Sequence, residues 1–410
     1  MTNLAVIRPS PPQLADNSPG KCAFQLDFFT EIAETCNQTE APVRRTPAPP
    51  NHDGGISSTM ISAHATFAPR DPQVLARATY PQPWAAYNRA QTHEQERFVE
   101  LLKRLCEGIP QPPQKMGRPR LALSDTLFAA VYKTYTMMSG RRFMSDLRDA
   151  QDKGLVGKAP SFTSTFRTLE NPEVGPILKM LIEQSSLPLA SVETEFAADS
   201  TGFATSTYAR WFDHKWGKEH RRQTWVKTHL MVGVKTNVVT SVEATPYESN
   251  DAAQFPKLVA ETAKHFTINE VTADKAYGTR RNYHAVDDLG ATAYIPFKSN
   301  ATGRGGHSGF DPLWHRMYAY YQFQRDDFMA HYHRRSNAET TMFMIKSKFG
   351  ASVRSKTPVA QVNEVLCKVL AHNIVVLVSS IYELGIEPYF WNGESEGLLH
   401  QFKSLFPMSG

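Results

Sequence analysis

Between Phe98 and Leu105, apolar residues fall at Phe98, Leu101, Leu102 and Leu105, the spacing of a helix face. The same period returns at Leu127–Met138, where Ser124-Asp125 stands at the position of a helix cap, and at Asn171–Gln184, which would bury Ile177, Leu178 and Leu181. After residue 190 the period shortens. Phe196-Ala197-Ala198 leads into Asp199, and Val226–Val234 and Val238–Ala244 follow as a strand pair, which predicts a central strand and a hairpin. Asp251–Phe266 reads as a helix with Phe255, Leu258 and Val259 on one face. Ile268–Ala273 is a strand that runs into Asp274, Ala291–Phe297 is a fifth strand, and Val359–Leu384 a long terminal helix. The order β-β-β-α-β-α-β-α describes an α/β fold built on a mixed sheet.

Proline sets the first boundary. Sixteen of the 27 prolines precede residue 121, clustered at Pro9-Ser10-Pro11-Pro12 and Pro47-Ala48-Pro49-Pro50. Proline blocks regular elements, so residues 1–78 read as a disordered tail. The expected organisation is then a helical domain over 79–190, an α/β domain over 191–350, and a helical C-terminal segment over 351–410 that completes the core or a dimer contact.

Composition removes several classes. No run of 18 apolar residues occurs, and the longest candidate, Val365–Ile381, is interrupted by Lys368, His372 and Asn373, so no membrane span is expected. The N-terminus lacks a basic start followed by an apolar stretch, the pattern of a secretory leader. Cys22, Cys36, Cys106 and Cys367 form no CxxC pair, which leaves neither a zinc ribbon nor a disulfide framework and points to the reducing cytoplasm. The net charge is only +5, but it is gathered in blocks. Lys103–Glu170 holds twelve Lys/Arg against six Asp/Glu, and Ala209–Lys235 seven against two. Clustered cations suit a polyanion, or two solvated faces. In the first block the exposed-turn candidates are Arg118, Arg120, Arg141 and Arg142; in the second, Trp211, Trp216 and Trp225 interleave with the charges.

Asp199 and Asp274 each end a strand expected at the sheet centre, where ligands of open α/β sheets gather. Singly, each could be a turn or helix cap. A third element changes the weighing. In the segment His331–Lys346, at about 100° per residue, Tyr332, Arg335, Glu339 and Lys346 share one arc of a helix, and Ala338, Met342, Ile345 and Phe349 occupy the neighbouring, core-facing arc. Arg335 and Glu339 could be an ordinary i,i+4 surface pair. His331 and His333, two residues apart, point to different sides and make a poor metal pair.

The spacing Tyr332-x2-Arg335-x3-Glu339-x6-Lys346 resembles the signature helix of DDE transposases of the IS4 type. Ala198-Asp199-Ser200-Thr201 and Ala273-Asp274-Lys275-Ala276-Tyr277-Gly278 are similar to that family's first two catalytic motifs, in the right order, and the stretch around Gly117-Arg118-Pro119-Arg120 resembles its N-terminal region more loosely. The resemblance covers about residues 115–380, and implies that 79–190 is a helical DNA-binding domain and 191–350 a ribonuclease H-like catalytic domain. It implies that Asp199, Asp274 and Glu339 are the catalytic acids and hold Mg²⁺, with Mn²⁺ as a substitute. It implies that Tyr332, Arg335 and Lys346 contact DNA beside the scissile phosphate, and that the partners are double-stranded element ends and target DNA, bound by a homodimer at the nucleoid. Only 64 residues separate Asp274 from Glu339, too few for a large β-rich insertion, and Trp314 is the only tryptophan there to offer a base-stacking ring. The expected reaction is cleavage and strand transfer. A structure-specific nuclease of the same fold, or a transposase-derived DNA-binding protein, are the alternatives.

Overall fold

The structure, a computed structural model, describes residues 83–112, 114, 117, 119–205, 225–246, 248–304 and 309–391. The expected tail over 1–78, Arg118 and most of the Arg210–Lys235 block, with Trp211 and Trp216, lie outside the described residues.

Among the described residues six helices come first: α1 (Trp84–Thr92), α2 (Glu94–Glu107), α3 (Leu123–Thr136), α4 (Phe143–Asp152), α5 (Phe162–Glu170) and α6 (Val174–Ser186). Phe98, Leu101, Leu102 and Leu105 of α2 are buried, as are Ile177, Leu178 and Leu181 of α6. Ser124 and Asp125 do not cap α3, which starts one residue before them at Leu123. Asp125 turns outward and accepts the backbone N–H groups of Gly157 (3.2 Å) and Lys158 (2.9 Å), pinning a distant loop. The helix also stops short of Met138, because Met137 takes a left-handed conformation with φ 54°.

The sheet is mixed, in the order β3-β2-β1-β4-β5. β1 (Glu195–Ala204), β2 (Trp225–Gly233) and β3 (Val239–Pro246) are antiparallel neighbours, and β4 (Glu270–Ala273) and β5 (Thr292–Tyr294) run parallel to β1. α7 (Asp251–Ala263) and α8 (Arg280–Asp287) connect the later strands, and α9 (Pro312–Phe323), α10 (Arg325–Tyr332), α11 (Ser336–Phe349) and α12 (Pro358–Leu384) follow. Asn250 caps α7 by accepting from Ala252 N–H, as a helix start there requires. β5 is shorter than expected, three residues long, although Ala291 and Ala293–Phe297 are buried.

One apolar core joins residues of α2, α3, α6, β1–β3, α11 and α12, so the expected boundaries at 190 and 350 fall within one compact unit that spans Ala78–Gly410. A second core lies between the sheet and α7–α10. α12 is long and apolar enough to cross a membrane by length and composition, with a mean hydropathy of 1.8, but 83% of that window is buried within the protein. Its interrupting polar residues are buried and paired. Lys368 Nζ donates to the carbonyls of Gly350 (2.9 Å) and Ser352 (2.7 Å), and burial pushes its ammonium down to about 8. His372 Nε2 donates to the Asn237 carbonyl, and burial pushes the imidazole down to about 4, so the ring is neutral.

Asn373 ties α12 to two elements at once. Its Oδ1 accepts from Val239 N–H (2.9 Å), and its Nδ2 donates to the Val239 carbonyl (2.7 Å), Ser185 Oγ (3.0 Å) and the Ile182 carbonyl (3.3 Å). Asn373→Ala would leave several of these groups buried without partners, at about 1–3 kcal/mol each for those that find none. A loss of about 3 kcal/mol is expected in urea denaturation; a loss below 1 kcal/mol would mean that water or a shifted side chain replaces the amide.

Candidate active site

Parallel pairing between β1 and β4 ends at Ala198 opposite Ala273. The next residue on each strand is an aspartate, so Asp199 and Asp274 leave neighbouring strands at the same level. Asp199 does not end its strand, contrary to the sequence expectation. β1 continues to Ala204 because β2 still pairs with it, through Ala204 opposite Trp225, and residues 351–353 bond its last residue. Ala204 N–H donates to the Ala351 carbonyl (3.1 Å) and Val353 N–H to the Ala204 carbonyl (2.9 Å). Asp274 caps the short 3₁₀ turn Lys275–Tyr277, accepting from Lys275 N–H at 2.6 Å. It therefore combines the cap role and a place beside Asp199.

The third acid arrives on α11, but not on the single helix expected over His331–Lys346. α10 ends at Tyr332, a 3₁₀ turn occupies His333–Arg335, and α11 begins at Ser336. The backbone stays in the right-handed helical region throughout, at φ −59°, ψ −35° for Tyr332 and φ −55°, ψ −30° for Arg335, so the chain tightens without turning away. A cluster on the sheet accompanies the tightening. Arg334 Nη1 reaches Glu195 (2.6 Å) and Glu270 (2.9 Å), the first residues of β1 and β4, and His331 Nδ1 meets Glu270 at 2.9 Å. Tyr294 stacks on the His331 ring at 4.4 Å. Sequence reading missed this clamp. Its signal was the matched i,i+4 spacing of Glu195 to Asp199 and of Glu270 to Asp274, which puts an acid at each end of one sheet face. The clamp also gives His331 a carboxylate partner in place of His333.

Arg335 lies between the first and third acids. Its Nη2 is 3.1 Å from Asp199 Oδ2, its Nη1 is 2.8 Å from Glu339 Oε1, and its buried Nε has no partner among the described residues. Burial raises the Asp199 carboxyl above the usual carboxylate range, with Glu339 and Asp274 adding to the rise, while Arg335 and the Ser200 N–H oppose it. Tyr332 is raised by its own burial and feels Arg335, Asp274 and Glu339 together. These five side chains share one electrostatic neighbourhood. The Ala338, Met342, Ile345 and Phe349 arc of α11 is buried, as its spacing required.

The other expected residues lie elsewhere. Lys346 is two turns beyond Glu339, half-buried, with Nζ 5.6 Å above the ring of Phe203. Arg141 and Arg142 are exposed between α3 and α4, and Arg120 is exposed before α3. Trp314 packs edge-on against Phe297 (4.8 Å) and Tyr283 (5.6 Å) and donates its indole N–H to Thr302, so its ring serves the second core.

Three carboxylates are hard oxygen donors of the kind that Mg²⁺ and Mn²⁺ take. Among the described residues, however, no three acidic, histidine or cysteine side chains stand close enough to enclose an ion. The guanidinium of Arg335 spans Asp199 and Glu339 instead, a cation held by the same oxygens a metal would use.

Residues 190–374 match the family of the transposase DDE domain. That segment contains Asp199, Asp274, Glu339, Tyr332, Arg335 and Lys346, and excludes Arg120, Arg141 and Arg142. A solved structure of the piggyBac transposase synaptic complex with hairpin DNA is similar at 10% identity with a TM-score of 0.33, over 79% of this chain and 80% of that one. That overall likeness is too low to bear on the site.

Proposed function

We propose that this protein is a transposase of the IS4 type, which binds the inverted-repeat ends of its element and carries out DNA cleavage and strand transfer with Asp199, Asp274 and Glu339 as its catalytic acids. One observation carries the reading: two aspartates leave adjacent parallel strands at the same level, and a glutamate on a crossing helix is linked to the first of them by Arg335, inside the segment that matches the transposase DDE domain. The strand order, with β1–β3 antiparallel and β4 and β5 parallel to β1, supports a ribonuclease H-like catalytic fold.

Asp199, Asp274 and Glu339 would hold Mg²⁺, or Mn²⁺ in its place, which when bound activates an attacking oxygen and stabilises the leaving 3′-oxygen. The chain's own residues do the rest. The Nη1 and Nη2 groups of Arg335 carry donors that a phosphate can compete for, so it can grip a phosphate in a forked geometry. Tyr332, beside it, closes one side of the same neighbourhood and orients that guanidinium. The clamp of Arg334 on Glu195 and Glu270 fixes the segment from which both residues project. A protein of this kind works on two ends at once, and we propose a homodimer at paired ends in the cytoplasm.

The test uses the full chain, Mg²⁺ and a plasmid carrying the DNA that flanks its gene on both sides. Excision at the ends followed by joining to a second DNA supports the reading. Cutting without joining would make it a nuclease of the same fold, and binding without cutting a DNA-binding protein. In the same system, replacing Arg120, Arg141 and Arg142 together by Gln should flatten the plot of log K against log salt by about 2–3 units if each contacts a phosphate. An unchanged slope would remove these three from the interface.

A further inference from the structure

A continuous track leads away from the acids on the α11 side. Four residues beyond Asp199, on the same face of β1, is Phe203, with Lys346 Nζ over its ring at 5.6 Å. α11 then ends at Phe349, and Met137 packs on the following Gly350, where an added Cβ would stand 3.3 Å from the methionine methyl. Arg354 Nη1 donates to the Met137 carbonyl at 2.5 Å. Eleven residues at about 1.5 Å each put this point roughly 16 Å along α11 from Glu339.

The connection from α3 to α4 there is unusual in two ways. Met137 has φ 54°, one of two non-glycine residues with positive φ among those described; the other is Asn237, a type that tolerates it. Backbone strain of this kind collects at functional segments. The connection is also apolar and exposed: Met137, Met138 and Phe166 are 36%, 40% and 40% exposed. Phe166 reaches the connection because residue 140 is glycine, since a Cβ there would come within 2.6 Å of its ring. Cations surround the patch. Arg141 is 5.6 Å from Phe162, and Arg142 and Arg354 are exposed beside it, while Lys133 Nζ, 5.3 Å from the Phe166 ring, is buried beneath the patch.

Exposed methionine and phenylalanine side chains ringed by arginines satisfy two needs at once. The cations suit phosphates, and the apolar faces suit the faces of bases, which a duplex hides in its stack and an unpaired strand presents. We propose that Met137, Met138 and Phe166, with Arg141, Arg142 and Arg354, form a docking surface for an unpaired DNA strand, roughly 16 Å along α11 from Glu339. The position relative to the cut rests on the reading of Asp199, Asp274 and Glu339 as cleaving acids; the affinity for unpaired strand does not.

The experiment measures fluorescence anisotropy of a labelled 15-nucleotide single strand of mixed sequence, and of the same sequence as duplex, with the full chain. Met138→Ala combined with Phe166→Ala should lower single-strand affinity at least tenfold, as loss of base stacking does, and change duplex affinity by less than twofold. Met138→Ala alone, which disturbs no packing on Gly140, should give a smaller loss of the same selectivity, with an unchanged melting temperature. Unchanged single-strand affinity, or an equal fall for strand and duplex, would overturn the proposal. A parallel plasmid-cleavage assay with Mg²⁺ separates the two readings. Absence of cutting by the wild type counts against the transposase chemistry and leaves the strand-over-duplex selectivity standing; loss of that selectivity in a protein that still cuts counts against the docking surface alone.

Discussion

Asp199→Asn, Asp274→Asn and Glu339→Gln are each expected to lower Mg²⁺-dependent DNA cleavage by about a thousandfold or more, a barrier increase of about 4 kcal/mol, while leaving DNA binding within about threefold. Each substitution removes one ligand charge and keeps the side-chain volume. Folding should survive in all three for separate reasons. Asp199 is a carboxylate whose burial already disfavours its charge, so an amide there loses an ion pair but also sheds a desolvation cost. An asparagine at 274 can still accept from Lys275 N–H and keep the 3₁₀ turn capped. Glu339 is 56% exposed, and its pairing with Arg335 is screened by water. Single-turnover cleavage and thermal melting measured together check the prediction. Robust cutting by any one variant would strike that residue from the site.

Arg335→Ala is expected to cost about 2–4 kcal/mol in the cleavage step, a loss of tens- to several-hundred-fold, because a guanidinium held between Asp199 and Glu339 is positioned to meet the phosphate charge as it develops. If Arg335 served only as a surface ion pair, the change would be worth under about 1 kcal/mol and activity would hardly move. The geometry favours the larger number, since the Arg335 side chain is only 20% exposed and its guanidinium bridges two elements of the fold. Arg335→Lys should recover part of the rate, restoring the charge without the fork. The variants must be compared on pre-bound DNA so that weakened binding is not read as weakened chemistry. A wild-type rate for Arg335→Ala would return this pair to the surface role that its i,i+4 spacing also allows.

The sequence by itself determined the periods, and through them the identity and order of most elements: the buried faces of α2 and α6, the hairpin of β2 and β3, the apolar arc of α11 and the length of α12. These depend on spacing within one segment, where burial of a stripe or an alternating face is decided by residues a few positions apart. The spacing of Tyr332, Arg335, Glu339 and Lys346 was legible for the same reason. What the sequence could not decide is where elements end and which distant groups meet. β1 runs past Asp199 because β2 pairs with it as far as Ala204, and α3 begins before Ser124 because Asp125 is used by a loop more than thirty residues away. Lys346 shares the expected spacing with Glu339, yet it sits over Phe203 and not among the acids, while Arg334, unmarked by any period, clamps the strands from which those acids emerge. Hydrogen bonds and ion pairs between remote segments carry no local signature. Only the packed chain brings Asp199, Asp274 and Glu339 into one field and sets Arg335 between the first and the last of them.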